Sequence, residues 1–245
     1  MIIDSHVHIG KTEKTNRYFT FDGYYILMKK YGVDESIVMP NLSSVIKTEN
    51  LNKEFMKNLL DLSKSIDFCF YPFIIIDPRE IETLNQISYF RDHIYGVKFH
   101  PSISETLITD YKMDIFMTNI NVPVLVHCGR NRLSHISYLI QTAKRFKNIN
   151  FIAAHMGGNA TDLIEEAIQL ISKEQLDNMW LDTSAGKLPW LIEEAVNKIG
   201  SEKILFGSDE PYSDTRIGIQ CVELAEISDE DKEKIFYKNI KELLN

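Results

Sequence analysis

Val122-Pro123-Val124-Leu125-Val126-His127 is an apolar run that stops at an imidazole, and Asn150-Phe151-Ile152-Ala153-Ala154-His155 does the same further on. Between them, residues 133–147 carry the periodicity of a helix. Neither run alternates cleanly between apolar and polar residues. That is the pattern of parallel strands covered on both faces, and strand–helix–strand is the unit that builds a parallel sheet.

Working outward, the unit recurs along the whole chain. Strand-like runs lie at Ile2–His6, Ser36–Met39, Cys69–Ile76, Gly96–His100, Val122–His127, Asn150–His155, Met179–Thr183 and Ile204–Ser208. Helical patterns fill residues 22–31, 49–66, 79–92, 110–120, 133–147, 160–173, 188–199 and 213–225. Residues 229–244 add a last helix, entered through Ser228 as N-cap and the first-turn acids Asp229, Glu230 and Asp231. Eight strands alternating with eight helices predict an α/β fold, a (β/α)8 TIM barrel, as a single domain over 1–245. A unit of about 31 residues leaves little room for a second domain. Connections 10–20, 41–48 and 101–109 are long enough to form lids. An open doubly wound sheet would carry a glycine-rich phosphate turn after its first strand. Here His6-Val7-His8 stands in that place.

Composition narrows the function. The 245 residues are 44% hydrophobic and 25% charged, which excludes disorder, collagen and coiled coil. No apolar run approaches the ~20 residues that span a bilayer, and the N-terminus lacks a basic and then apolar leader. The expectation is a cytoplasmic protein with no membrane partner. With 27 Lys and Arg against 35 Asp and Glu, the net charge is −8. The basic clusters, Lys29-Lys30 and Lys144-Arg145-Phe146-Lys147, read as helix ends, so nucleic acid is not an expected partner. Cys69, Cys128 and Cys221 are far apart and odd in number, which argues against a disulfide framework and, with no CxxC, against a thiolate zinc site.

Chemistry in a parallel barrel sits at the carboxyl ends of its strands. Those ends hold Asp4-Ser5-His6-Val7-His8, Lys98-Phe99-His100, His127, His155 and Asp209, whereas His93 and His135 fall in helical stretches. His6 and His8, two apart on a strand, point to one side and can chelate one divalent ion. His127 and Asp209 can complete the shell. Imidazole nitrogens with one carboxylate suit zinc, manganese or iron.

Five segments in order carry a resemblance: Asp4-Ser5-His6-Val7-His8, Gly96-Val97-Lys98-Phe99-His100-Pro101, His127-Cys128-Gly129, His155-Met156-Gly157-Gly158 and Gly207-Ser208-Asp209-Glu210-Pro211. From residue 2 to about 212 the chain resembles the amidohydrolase superfamily, in particular its compact family 2, which includes aminocarboxymuconate-semialdehyde decarboxylase-like proteins. The resemblance implies His6, His8, His127 and Asp209 as metal ligands, with Asp209 also taking a proton from the attacking water. It implies His155 as acid, base or electrophile in one-metal members, or as a ligand of a second ion. Lys98 is the position that two-metal relatives carboxylate; beside His100, it otherwise pairs with an acid or with substrate. One Zn2+ is the expected cofactor, with two ions, Mn2+ or Fe2+ as alternatives. Arg130 and Asn159, on loops after these strands, are candidate substrate contacts. Arg130 reads equally as a surface arginine paired with an acid, and Asn159 as a cap of the next helix. Cys128 reads as core.

The expected activity is metal-dependent hydrolysis of a C–N or C–O bond in a small molecule. The alternative is a metal-dependent decarboxylase of an aromatic or enoic acid. A metal-binding barrel without catalysis is a third possibility, disfavoured by the intact pair His155 and Asp209. A homo-oligomer is compatible with the sequence.

Overall fold

The computed structural model describes residues 1–12, 18–42, 46–62, 69–184 and 186–244. Eight parallel strands follow one another around the sheet: β1 (Ile3–Lys11), β3 (Glu35–Pro40), β4 (Cys69–Ile76), β5 (Gly96–Phe99), β6 (Val124–Val126), β7 (Phe151–Ala153), β8 (Met179–Asp182) and β9 (Ile204–Leu205). The helices that follow them are α1 (Phe21–Tyr31), α2 (Thr48–Leu62), α3 (Glu82–Tyr89), α4 (Tyr111–Asn119), α5 (Ile136–Arg145), α6 (Thr161–Glu174), α7 (Pro189–Ile199) and α8 (Thr215–Leu224). The last strand returns to the first. Ser5 N donates to Phe206 O at 2.8 Å, Asp209 N to His6 O at 2.9 Å and His8 N to Glu210 O at 2.8 Å. The expected (β/α)8 barrel is therefore the observed one.

Two buried clusters show how the strands are phased. The outer one sits between strands and helices and takes Val7, Val38, Ile74, Val97, Val124, Phe151, Leu181 and Ile204. The inner one takes Ile3, Ile37, Phe73, Leu125, Ile152 and Leu205 from six of the strands. Successive residues of a strand face opposite sides, so the residues two and four places on from the inner set face inward at the carboxyl rim. By that count His127 and Asp209 fall on the inner face, and Lys98 joins them, one place on from the outward Val97. β1 needs a correction to obey it, because Ile3 and His6 are an odd number apart. The register against β3 shifts between Asp4 and Val7, and this irregularity re-aims the strand so that His6 and His8 follow Ile3 inward.

Several boundaries differ from the expected ones. β1 runs on to Lys11 because β2 (Tyr18–Phe19) folds back against Gly10 and Lys11 as a short antiparallel pair. The last helix is divided into α9 (Asp229–Glu233), a π-helical stretch Lys234–Lys238 and α10 (Asn239–Leu244). Ser228 does cap it, accepting from Asp231 N at 3.1 Å. Ile240 and Leu243 of α10 belong to the inner cluster, so this helix stoppers the barrel at the amino ends of the strands. Asn239 fastens it by donating to Ser201 O and Ile204 O, both at 2.7 Å. Residues 101–109 form a run of turns and include a left-handed Glu105. The expected helix end at 63–66, and stretches 13–17 and 43–45 of two expected lids, lie outside the described residues. Among the described residues no helix is long and apolar enough to cross a membrane. Cys128 and Cys221 are free and buried.

Candidate metal centre and cavity

The carboxyl ends of the strands open into a cavity of about 540 Å³. Its wall includes His8, Lys98, His100, His127, His155, Asn159, Lys187, Asp209 and Tyr212. At its base, His6 Nε2 lies 3.1 Å from His8 Nε2 and 3.1 Å from Lys98 Nζ. Asp209 Oδ1 is 3.6 Å from the first of these nitrogens and 3.4 Å from the second. His6, His8 and Asp209 thus form one group of donor atoms within 4.8 Å of one another, and His6, His155 and Asp182 form another.

The backbone pays for this convergence in unusual conformations. Asp209 has φ 61°, while His155 and Met156 have φ 60° and 53°. Such angles persist in non-glycine residues where surrounding contacts over-determine them, and they concentrate at functional sites. Gly207 lets the seam close: a Cβ there would stand 3.0 Å from Ser5 Oγ and 3.1 Å from His6 Cβ. Asp4 underlies the seam, accepting from Ser208 N at 2.9 Å and His6 N at 3.1 Å. Burial pushes the Asp4 carboxyl up to about 7.

The donor set fits a divalent cation. His8 Nε2 points at His6 Nε2 and at Asp209 Oδ1, while its Nδ1 faces the Pro40 carbonyl at 3.4 Å. Two imidazole nitrogens and a carboxylate oxygen thus converge beside Lys98 Nζ, and nitrogen with carboxylate oxygen is the donor chemistry that holds zinc, manganese or iron. Burial, then the nearby Lys98 charge, pull His6 down to about 4, so it is neutral at pH 7. Burial lowers Lys98 to about 8. For Asp209 burial acts upward, but the His8 hydrogen bond and the neighbouring imidazoles outweigh it and keep the group ionised.

The other expected residues divide. His127 belongs to neither group of three. Its Nδ1 is 3.1 Å from His155 Nε2, and its ring stacks on His100 at 3.8 Å between centroids. It meets the base of the cavity through His155, which stacks in turn on His6 at 5.2 Å. His100, His127 and His155 are all held below the usual imidazole range by burial. Asn159 lines the cavity and accepts from Arg130 N at 3.1 Å, filling the space that a Cβ on Gly129 would occupy. Arg130 does not line the cavity. Its side chain is 69% exposed and lies 3.6 Å from Asp162, the surface pairing that was the alternative for it. Cys128 is core, its thiol pushed up to about 12 by burial.

Three further residues of the site were not among the expected ones. Asp182, at the end of β8, accepts from His6 Nδ1 at 2.8 Å. Its signal was in the sequence: it is an ionisable residue closing the apolar run Met179–Thr183, as Lys98 and His127 close theirs. Tyr212 stands edge-on to His8 at 5.5 Å and donates to Asn41 Oδ1 at 2.9 Å. Lys187 reaches the cavity from the loop after β8, where no periodicity marks it.

A barrel of eight parallel strands with imidazoles and an acid gathered at the carboxyl rim is the architecture of metal-dependent hydrolases and their lyase relatives. The chain belongs to amidohydrolase family 2, whose model matches residues 93–245. No curated protein matches it. Among solved structures, 5-carboxyvanillate decarboxylase from Novosphingobium aromaticivorans, complexed with manganese and a nitrobenzoic acid, is similar at 10% identity. The similarity covers 100% of this chain and 96% of that one, with a TM-score of 0.81. 2,6-Dihydroxybenzoate decarboxylase from Rhizobium is similar at 14% identity, over 99% and 98%, with a TM-score of 0.79. A probable 2-pyrone-4,6-dicarboxylic acid hydrolase from Acinetobacter baumannii is similar at 15% identity, over 99% and 98%, with a TM-score of 0.71. At these identities the likeness is one of fold.

Proposed function

We propose that the protein is a metal-dependent hydrolase that cleaves a C–N or C–O bond in a small anionic molecule. The observation that carries this reading is the meeting of His6 Nε2, His8 Nε2 and Asp209 Oδ1 at the base of the cavity. These three side chains would hold one divalent cation, with zinc favoured by the nitrogen-rich set and manganese or iron as substitutes. Such an ion, when bound, supplies Lewis acidity, polarising a carbonyl and lowering the pKa of water toward 7.

The remaining work falls to the protein. Asp209 stays ionised at neutral pH and sits beside the nitrogens that gather the reactants, so it takes the proton of the attacking water and returns it to the leaving group. His155, neutral and on the cavity wall, is the second proton-handling group through Nε2. Lys98 and Lys187 supply positive charge in the same wall and draw in an anionic substrate. His127 and His100 flank the reacting group.

A second reading is decarboxylation of a small aromatic or enoic acid. Lys98 and Lys187 would grip its carboxylate, and decarboxylases are among the structurally similar proteins. One experiment separates the two. Protein stripped with chelator and reloaded with zinc or manganese is incubated in 18O-labelled water with two panels: esters, amides and lactones, and aromatic and enoic acids. Hydrolysis places one labelled oxygen in the product, whereas decarboxylation releases carbon dioxide and places none. Failure of the stripped protein to take up either ion stoichiometrically would refute both readings.

A further inference from the structure

Asp182 is fully buried and touches two imidazoles at once. Its Oδ2 faces His6 Nδ1 at 2.8 Å. Its Oδ1 accepts from the backbone N–H of His155 at 2.8 Å and of Ser184 at 3.0 Å, and lies 2.5 Å from Ser184 Oγ. Ser184 Oγ is in turn 2.8 Å from His155 Nδ1, and His155 Nε2 is 3.1 Å from His127 Nδ1.

The direction of each bond follows from the carboxylate. Two backbone N–H groups and the Ser184 hydroxyl converge on Oδ1, and three hydrogen bonds to one oxygen are the surroundings that hold a carboxyl in its ionised form. An ionised carboxylate only accepts. His6 therefore carries its proton on Nδ1, and its Nε2 is bare. Ser184 spends its one hydroxyl proton on Asp182, so its oxygen must accept from His155 Nδ1–H. That leaves His155 Nε2 bare, and it accepts from His127 Nδ1–H. His127 Nε2 is then bare as well.

We propose that Asp182 is a positioning residue that sets the tautomers of His6, His155 and His127, so that each ring is unprotonated on Nε2, with those of His6 and His127 left for the site and that of His155 accepting from His127. Neutral imidazole in water favours the proton on Nε2, the form that would cap every one of these lone pairs. The tautomer assignment stands on hydrogen-bond chemistry alone. Its use, presenting nitrogen to a cation, rests on the metal-centre reading above.

The test is two-bond 15N–1H correlation of metal-free protein labelled with 15N-histidine, which reads which ring nitrogen holds the proton. Wild type is expected to show His6, His155 and His127 as Nδ1–H forms. In Asp182→Asn, two backbone N–H groups hold the amide oxygen at the Oδ1 position, so the NH2 turns to His6. His6 Nδ1 must then accept, and its proton moves to Nε2. Zinc affinity, measured by competition with a chromogenic chelator, should fall by ~10–100-fold, the usual penalty for losing the partner of a ligating histidine. Ser184→Ala should leave His6 as it is while His155 and His127 change form together. Wild-type spectra showing His6 or His155 protonated on Nε2 would overturn the proposal, as would a natively folded Asp182→Asn with unchanged spectra. Should Asp182→Asn fail to fold, Ser184→Ala decides: unaltered His155 signals overturn the proposal, and a selective change supports it. A wild type with correct tautomers that binds no zinc would refute the metal reading and leave the Asp182 assignment standing.

Discussion

At the scale of single residues, Asp209 is the group most exposed to a conservative test. Asn has the same shape but cannot take a proton. Asp209→Asn is expected to lower kcat by ~10²–10⁴-fold on whichever substrate the labelled-water panel yields, with the melting temperature little changed. A variant that kept near-wild-type kcat would remove Asp209 from the proton step. His6, His8, Lys98, His127, His155 and Asp209 were legible because each ends an apolar run, and the end of a run is a local property of the sequence. Two of the side chains that line or support the site escaped for different reasons. Lys187 sits in a loop, where only the three-dimensional path brings it to the cavity. Asp182 obeys the same rule as the visible residues but belongs to no histidine motif. For Arg130 the sequence left two readings open, and its side chain lies 3.6 Å from Asp162 while its backbone N–H is taken up by Asn159.

At the scale of elements, the repeat of strands and helices was readable because burial on both faces writes continuous apolar runs. The phase correction in β1 was not, since a register shift depends on what β3 presents to it. The division of the last helix was hidden for a similar reason. Its sequence is helical throughout, and the π-helical stretch is set by how Ile235 and Phe236 must pack against the barrel. The stopper made by α10 yields a prediction of its own. Ile240 is fully buried in the inner cluster, at the end of the barrel away from the cavity. Ile240→Ala should cost ~2–5 kcal/mol of unfolding free energy by denaturant titration. Zinc affinity should stay at the wild-type value, and a parallel loss of both would show that the stopper is coupled to the site.

For the whole molecule, the buried histidines set an acid limit. His6 (about 4), His100, His127 and His155 all have folded-state values below the unfolded imidazole value. The native state therefore binds fewer protons than the unfolded chain as pH falls through ~6.5, and stability drops until the folded values are reached. Asp4, raised to about 7, acts the other way: stability rises as pH falls from about 7 toward the unfolded carboxyl value. Four groups against one leave a net loss. The melting temperature of metal-free protein should decline steadily from pH 6.5 to 4.5, with net proton uptake on unfolding. A flat profile across that window would mean that the imidazoles are not neutral and buried as the fold places them.

The seam between β1 and residues 206–210 joins segments from opposite ends of the sequence. His6 and His8 lie on the first strand of the ring and Asp209 follows the last, so the triple is complete only where the two meet. A partly folded chain consequently offers a passing ion at most the two imidazoles of the triple. Metal uptake there is thereby tied to closure, which makes a filled site a report that the ring has shut.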